Sequence, residues 1–279
     1  MLRRMVKGLA ATVMGMGVMG GAASADVVYG IDNANNLIRV DLATQTSSVL
    51  FDTPLSGASN GVALDATGNH LVFRNNEGGT LRSYDIAGGS LSTVANPSNL
   101  ALPGLSSDAS FYDGAYWYVR NNSDALYRVD IDFSGATPAI TGVTTFANFD
   151  GGSATSFGFG DIAIAADGTL YGSSTQGLFA VSLSGGSPTG YTVLNAQAPL
   201  LQIALVANGT ALVGHSFNTG EWYDISLTGS VSKIDGFRTV GLRDIASIGA
   251  VPEPASVAMM GLGGLAVLAL ARRKARLAA

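Results

Sequence analysis

No cysteine occurs anywhere in the 279 residues. Disulfides, thiolate metal ligands and a cysteine nucleophile are excluded together. Histidine is nearly as scarce, with only His70 and His215. They fall in different parts of the chain, and two solvated or locally hydrogen-bonded imidazoles are expected rather than a shared metal site or a catalytic pair. Gly-x-Ser-x-Gly, the phosphate loop and the zinc-protease helix motif are all missing. Glycine runs such as "FGFGD" from Phe157 lack the strand-to-helix setting of a phosphate cradle. Positive charge is sparse in the body of the chain: 8 basic against 19 acidic residues lie between Asp26 and Ala250, a net charge near −11. Nucleic acid is thereby excluded as a partner, because its binding rests on Lys and Arg neutralising phosphates.

The basic residues that remain mark the two ends. Arg3, Arg4 and Lys7 precede an apolar run from Gly8 to Gly21, and Ala23-Ser24-Ala25 supplies a small-x-small cleavage site. This is the pattern of a secretory signal peptide over 1–25, cut between Ala25 and Asp26. A twin-arginine reading of Arg3-Arg4 fits less well than the general secretory route. At the other end come Val251-Pro252-Glu253-Pro254, then an uncharged stretch from Ala255 to Ala271, then Arg272, Arg273, Lys274 and Arg276. The prolines hold the first part extended. About 17 apolar residues is the short limit for a membrane-spanning helix, and the basic cluster would anchor its end in the cytoplasm.

That order of Pro-Glu-Pro, apolar helix and arginine cluster over 251–279 resembles the PEP-CTERM sorting signal of Gram-negative bacteria. The resemblance implies an exosortase and the secretion machinery as partners, and transient residence in the inner membrane. It also implies delivery to the cell surface or extracellular matrix, and an association with exopolysaccharide. The bland alternative is a plain C-terminal membrane anchor.

Between the ends, 26–250 is glycine-rich and built from short β-type runs. The pattern Leu-x-x-Val/Tyr-Asp-Leu/Ile occurs as "LIRVDL" ending at Leu42, "LRSYDI" at Ile86 and "LYRVDI" at Ile131. Looser copies are "LFAVSL" ending at Leu183 and "EWYDI" at Ile225, giving spacings of 44, 45, 52 and 42 residues. A second pattern, Asp-Ile-Ala, begins "GDIAIAADGTLYG" at Gly160 and "RDIASIGA" at Arg243, with three relatives elsewhere. A repeat of 40–50 residues holding four strands predicts an all-β fold, a β-propeller. Asp113-Gly114, Asp167-Gly168, Asn208-Gly209 and Thr67-Gly68 are expected at the turns between the first two strands of a repeat, with positive φ at both central positions.

The repeat is offset at its ends. The mature chain opens on "VVYG", a second strand with no first; the last copy, "RDIASIG", is a first strand with nothing after it. The two should complete one blade and close a ring of five. Six blades would need irregular strands between Asn148 and Asp161, and a parallel β-helix or a β-sandwich are the competing architectures. "VYGIDNANNLIRVDL" also resembles a group of uncharacterised bacterial propeller proteins, which implies no catalytic residues.

Two functional candidates follow. Asp108, Asp161 and Asp244 begin first strands and should ring the channel mouth, with Gln202 and Gly61 in the equivalent places. Converging carboxylates could hold calcium, as a metal-dependent, lactonase-like propeller hydrolase would; the simpler reading has each aspartate bonding backbone amides where the chain crosses between blades. Cofactors are otherwise expected to be none. Asn-rich loops from Asp32, Arg74, Arg120 and His215, with Trp117 and Trp222 near them, could bind extracellular polysaccharide or simply form good turns. The favoured function is a non-enzymatic, exported binding or scaffold propeller, with the hydrolase as alternative.

Overall fold

The computed structural model describes residues 27–51, 57–75, 79–104, 106, 108–120, 123, 125–147, 149, 158–183 and 186–247. Ala23, Ala25, Asp26, the Val251–Pro254 motif and the Arg272–Arg276 cluster lie outside them. Among the described residues no helix is long and apolar enough to cross a membrane.

Among the described residues, twenty strands form five four-stranded antiparallel sheets. Four of these blades are continuous in sequence. Blade 2 holds β4 (Ser59–Leu64), β5 (His70–Asn75), β6 (Thr80–Asp85) and β7 (Ser90–Thr93). Blade 3 holds β8 (Asp108–Tyr112), β9 (Ala115–Val119), β10 (Leu126–Asp132) and β11 (Ala139–Phe146). Blade 4 holds β12 (Phe159–Ile164), β13 (Thr169–Ser174), β14 (Gly177–Ser182) and β15 (Thr189–Asn195). Blade 5 holds β16 (Gln202–Val206), β17 (Ala211–His215), β18 (Glu221–Ile225) and β19 (Val231–Arg238).

Blade 1 is composite. Its outer three strands, β1 (Val27–Asp32), β2 (Leu37–Asp41) and β3 (Thr46–Phe51), come from the start of the chain, and its innermost strand is β20 (Leu242–Ser247). β1 pairs antiparallel with β20, matching Val28 to Ser247 and Gly30 to Ile245. The five-bladed propeller closed by its two ends is therefore the observed fold, and the stretch between Asn148 and Asp161 adds no sixth sheet among the described residues. Gly30 suits this pairing, since a Cβ there would press on the Asp244 carbonyl oxygen and the Leu242 and Ile245 side chains.

The core is divided into five apolar clusters, one per blade–blade interface. The largest contributors are aromatic: Trp117 and Phe179 between blades 3 and 4, Tyr116 and Tyr118 between blades 2 and 3, and Trp222 and Phe237 between blades 5 and 1. The two sides of an inner strand serve different interfaces. Ile162 and Ile164 pack toward blade 3, while Ala163 and Ala165 pack toward blade 5. That is the period-two alternation of a strand buried on both faces.

The turns differ from expectation in detail. Asp113 and Gly114 both have positive φ, at 49° and 72°, as the tight hairpin requires. In blades 2 and 4 only the glycine does, Gly68 at 73° and Gly168 at 85°. There the chain makes a longer turn: the Gly68 N–H donates to the Asp65 carbonyl and the Asp65 N–H to that of His70. A single left-handed glycine after an ordinary turn suffices for that geometry.

Candidate functional site

The antiparallel order places the beginnings of the inner strands, the loops between second and third strands, and the blade-to-blade crossovers on one face. Position by position, the inner strands present Asp244, Gly61, Asp108, Asp161 and Gln202 around the axis at that face. Two residues further along lie Ala246, Ala63, Ser110, Ala163 and Ala204, a ring of small side chains. The space they leave along the axis is about 20 Å³, room for no more than a water molecule.

The three expected aspartates do come together, and all three are buried. Asp161 and Asp244 each turn one oxygen to the backbone of a neighbouring blade. Asp161 accepts from its own blade through the Ile162 N–H at 2.7 Å, from blade 5 through Ile203 at 3.1 Å, and from blade 1 through Ile245 at 3.4 Å. Asp244 accepts from blade 2 through the Val62 N–H at 2.6 Å. Ser110 continues the scheme one step along the axis, its hydroxyl accepting from Ile164 N–H at 3.0 Å. These bonds link inner strands directly, rather than the crossover turns that sequence reasoning assigned to the aspartates.

Electrostatics follows from the burial. Desolvation, then the charges of Asp244 and Asp108, raise the Asp161 carboxyl well above the ordinary range. Asp244 is raised likewise, by burial first and then by Asp108. Buried carboxylates this close cannot all ionise, and protons are retained among them. Calcium seeks six to eight oxygen ligands; both Asp161 oxygens already accept N–H bonds, whereas Asp244 Oδ1 and Gln202 Oε1 are buried and accept none. Among the described residues no group of three or more His, Asp or Glu is arranged to hold a metal ion.

Gly61, one of the two non-acidic positions in the ring, has a physical reason. Its φ is +65°, and a Cβ would run into the Ser106 and Tyr116 hydroxyls. The Tyr116 hydroxyl donates to the Gly61 carbonyl at 2.5 Å. A tyrosine from blade 3 thus ties to blade 2 by donating to a carbonyl, where the aspartates accept from N–H groups.

Other expectations need correcting. Trp117 and Trp222 are 1% and 0% exposed, so neither is a rim aromatic for sugar stacking. Trp117 stacks on Phe146 and Trp222 on Phe237 inside blade interfaces. His215 meets the locally hydrogen-bonded form of its expectation: it closes β17, fully buried beside Trp222, with Nε2 3.3 Å from the Thr239 hydroxyl, and burial lowers its pKa to about 4. His70 lies at the start of β5 and stacks on Phe133.

One functional contact was missed by sequence reasoning. Arg243 on β20 reaches the first loop: its Nη1 donates to Asn35 Oδ1 at 2.9 Å, Nη2 to the Asn33 carbonyl at 3.0 Å, and Nε to Asn33 Oδ1 at 3.3 Å. The Asn-rich loop of blade 1 is therefore a latch between the two ends of the domain. An arginine beside the last Asp-Ile-Ala copy, absent from the others, was the available signal.

Among solved structures, the chain is similar to one from a nidogen/laminin complex, at 13% identity and a TM-score of 0.48, covering 80% of this chain and 98% of that one. It is also similar to virginiamycin B lyase from Staphylococcus aureus, at 13% identity and a TM-score of 0.44, covering 75% and 70%. A functionally unknown protein from Desulfotomaculum acetoxidans is similar at 12% identity and a TM-score of 0.45, covering 82% and 88%. None of the curated proteins matches. The PEP-CTERM protein-sorting motif matches residues 250–274, so this is an exported chain, handled at the membrane, with an exosortase as processing partner. The model of the family described as a repeat of unknown function (DUF6923) matches residues 19–199, and the chain belongs to that family.

Proposed function

We propose that the chain is a non-enzymatic binding or scaffold propeller of the cell surface or extracellular matrix, set free from its tail during sorting. The observation that carries this reading is the state of the channel mouth. The side chains best suited to chemistry, Asp161 and Asp244, bond the backbone of neighbouring blades, and the axial space of about 20 Å³ admits no substrate. A carboxyl pair locked into backbone bonds and closed off from solvent serves the ring rather than a reaction. Extracellular polysaccharide as partner rests on the sorting tail alone, since both tryptophans are buried.

The test follows the protein in its own cell. An epitope placed within the domain should appear in the surface or matrix fraction on a chain lacking its tail, and polysaccharide-degrading enzymes should release it. With Pro252, Glu253 and Pro254 all replaced by alanine, the chain should stay uncut in the inner membrane, held by the apolar segment and arginine cluster. A parent chain that remains full-length in the inner membrane would overturn the destination. Release unaffected by polysaccharide removal would overturn the partner.

A further inference from the structure

Beyond the axis, one buried charge has no counter-ion among the described residues. Arg74, on β5 of blade 2, is 3% exposed. Its Nη1 donates to the Tyr118 hydroxyl at 3.2 Å and the Pro103 carbonyl at 3.4 Å, and its Nη2 to the Leu102 carbonyl at 2.9 Å. Its guanidinium carbon lies 5.5 Å over the Tyr118 ring. Five N–H donors are available to a guanidinium, and these bonds use three. Nε has no partner, and one Nη2 hydrogen is left over. Nε and Nη2 share one edge of the group, the edge that receives a carboxylate side-on. Among the described residues no carboxylate lies within ion-pair distance of Arg74.

The same arginine lines a cavity of about 210 Å³ between blade 2, the crossover that follows it, and β11 of blade 3. Leu81, Val94, Leu100 and Ile140 form apolar walls, and Thr80 lies among the lining residues. Asn96 also lines it, but its amide is engaged at both ends with Leu100, at 2.8 Å each.

We propose that this cavity is a binding site for a small carboxylate with an apolar body, its carboxylate on the free edge of Arg74. Burying a cation without a partner is costly, and an anion bound there removes much of that cost. The aliphatic walls select against a sugar acid, whose hydroxyls would be desolvated without partners. An apolar cavity of about 150 Å³ already accepts benzene, so 210 Å³ suits a ring or branched chain next to the carboxylate. The domain's net negative charge repels anions at long range, but at about 0.15 M salt that field is screened beyond roughly 8 Å. A purely structural Arg74, pinning the crossover through Leu102 and Pro103, is the competing account.

Benzoate, phenylacetate, isovalerate and glucuronate are titrated into the exported protein at 0.15 M salt, read by thermal melting and calorimetry. Saturable stabilisation by benzoate or phenylacetate is expected, with Kd near about 1 mM, as suits ligands of this size. Arg74→Lys, which keeps the charge and loses the fork, should weaken it about tenfold or more. Leu100→Phe should abolish it by filling the cavity while leaving Arg74 and its carbonyl bonds in place, so a folding failure of the arginine variant does not leave the question open. No saturable response to any apolar carboxylate overturns the site, as does a response unchanged in Leu100→Phe. Glucuronate binding as well as benzoate overturns the ligand class.

Discussion

β20 and β15 belong to the same ring, one at its axis and one at its rim. In β20, Leu242, Asp244, Ile245 and Ala246 are buried, and the strand touches β1 of its own blade and blades 2, 4 and 5. In β15, Thr189, Gly190, Thr192 and Val193 are exposed, and pairing is to β14 alone, with register shifts along the way. An inner strand is constrained on both faces and by a carboxylate or hydroxyl from the next blade; an outer strand is constrained along one edge. The first therefore demands particular residues, whereas the second accepts almost any sequence with β character.

The strongest test of this contrast removes an inner strand. A chain ending at Thr239, compared with one ending at Ala250, loses β20 together with the Arg243 latch. Two blade interfaces would open and the β1 edge would be left unpaired. Loss of several kcal/mol is expected, against a total of about 5–15 for a typical domain, with failure to fold cooperatively in urea. A chain cut at Thr239 that melts like the longer one would show that the termini do not close the ring.

A finer test changes one atom at the axis. Asp244→Asn keeps an oxygen to accept from Val62 and replaces a carboxylate oxygen with an N–H₂ donor facing the acidic group. The folded-state pKa values of Asp161 and Asp244 are raised. Their contribution to stability is therefore fully present below the unfolded value near 3.8. It is lost as pH rises from there through the folded values. The parent should lose stability relative to Asp244→Asn as pH rises above about 4, measured as a difference of urea midpoints. His215 acts with the opposite sign: its pKa of about 4 means stability present above about 6.5 and lost as pH falls. It is common to both proteins and cancels in the difference. A parallel pH dependence in the two proteins would show that the axial acids do not share protons. Calcium should leave both melting temperatures unchanged, and a calcium-dependent rise confined to the parent would make the axis a cation site.

The smallest effect belongs to the rim. Val193→Thr on β15, where the valine is 46% exposed, should change stability by no more than about 0.5 kcal/mol. A loss of 2 kcal/mol or more would mean that the outer face is covered in the native protein.

The contrast also explains what could be read in advance. The repeat was visible in copies such as "LIRVDL" and "GDIAIA" because those residues fill blade interfaces, where volume and alternation are not negotiable. Rim strands such as "SLST" gave no signal, having little to pack against. Aspartate at the head of three inner strands was visible as a pattern, but its partners were not: Asp161 meets Ile203 and Ile245, 42 and 84 residues away. Arg74 could not be distinguished from the arginine at the start of the similar loop at Arg120. Its isolation depends on which carbonyls and walls the crossover brings to it.

What the sequence by itself determined is the class of architecture, the number of repeats, the sharing of one blade between the ends, and the sorting tail. Each is written in local pattern: period, turn chemistry, and the order of prolines, apolar residues and arginines. Only the tertiary structure decided which polar groups face one another across the ring. It put both tryptophans inside, turned Asp161 and Asp244 onto backbone amides, and set a buried guanidinium in the wall of a cavity. Those outcomes depend on distances between blades, which no segment of the chain encodes alone, because burial and pairing of a charge are properties of the closed ring.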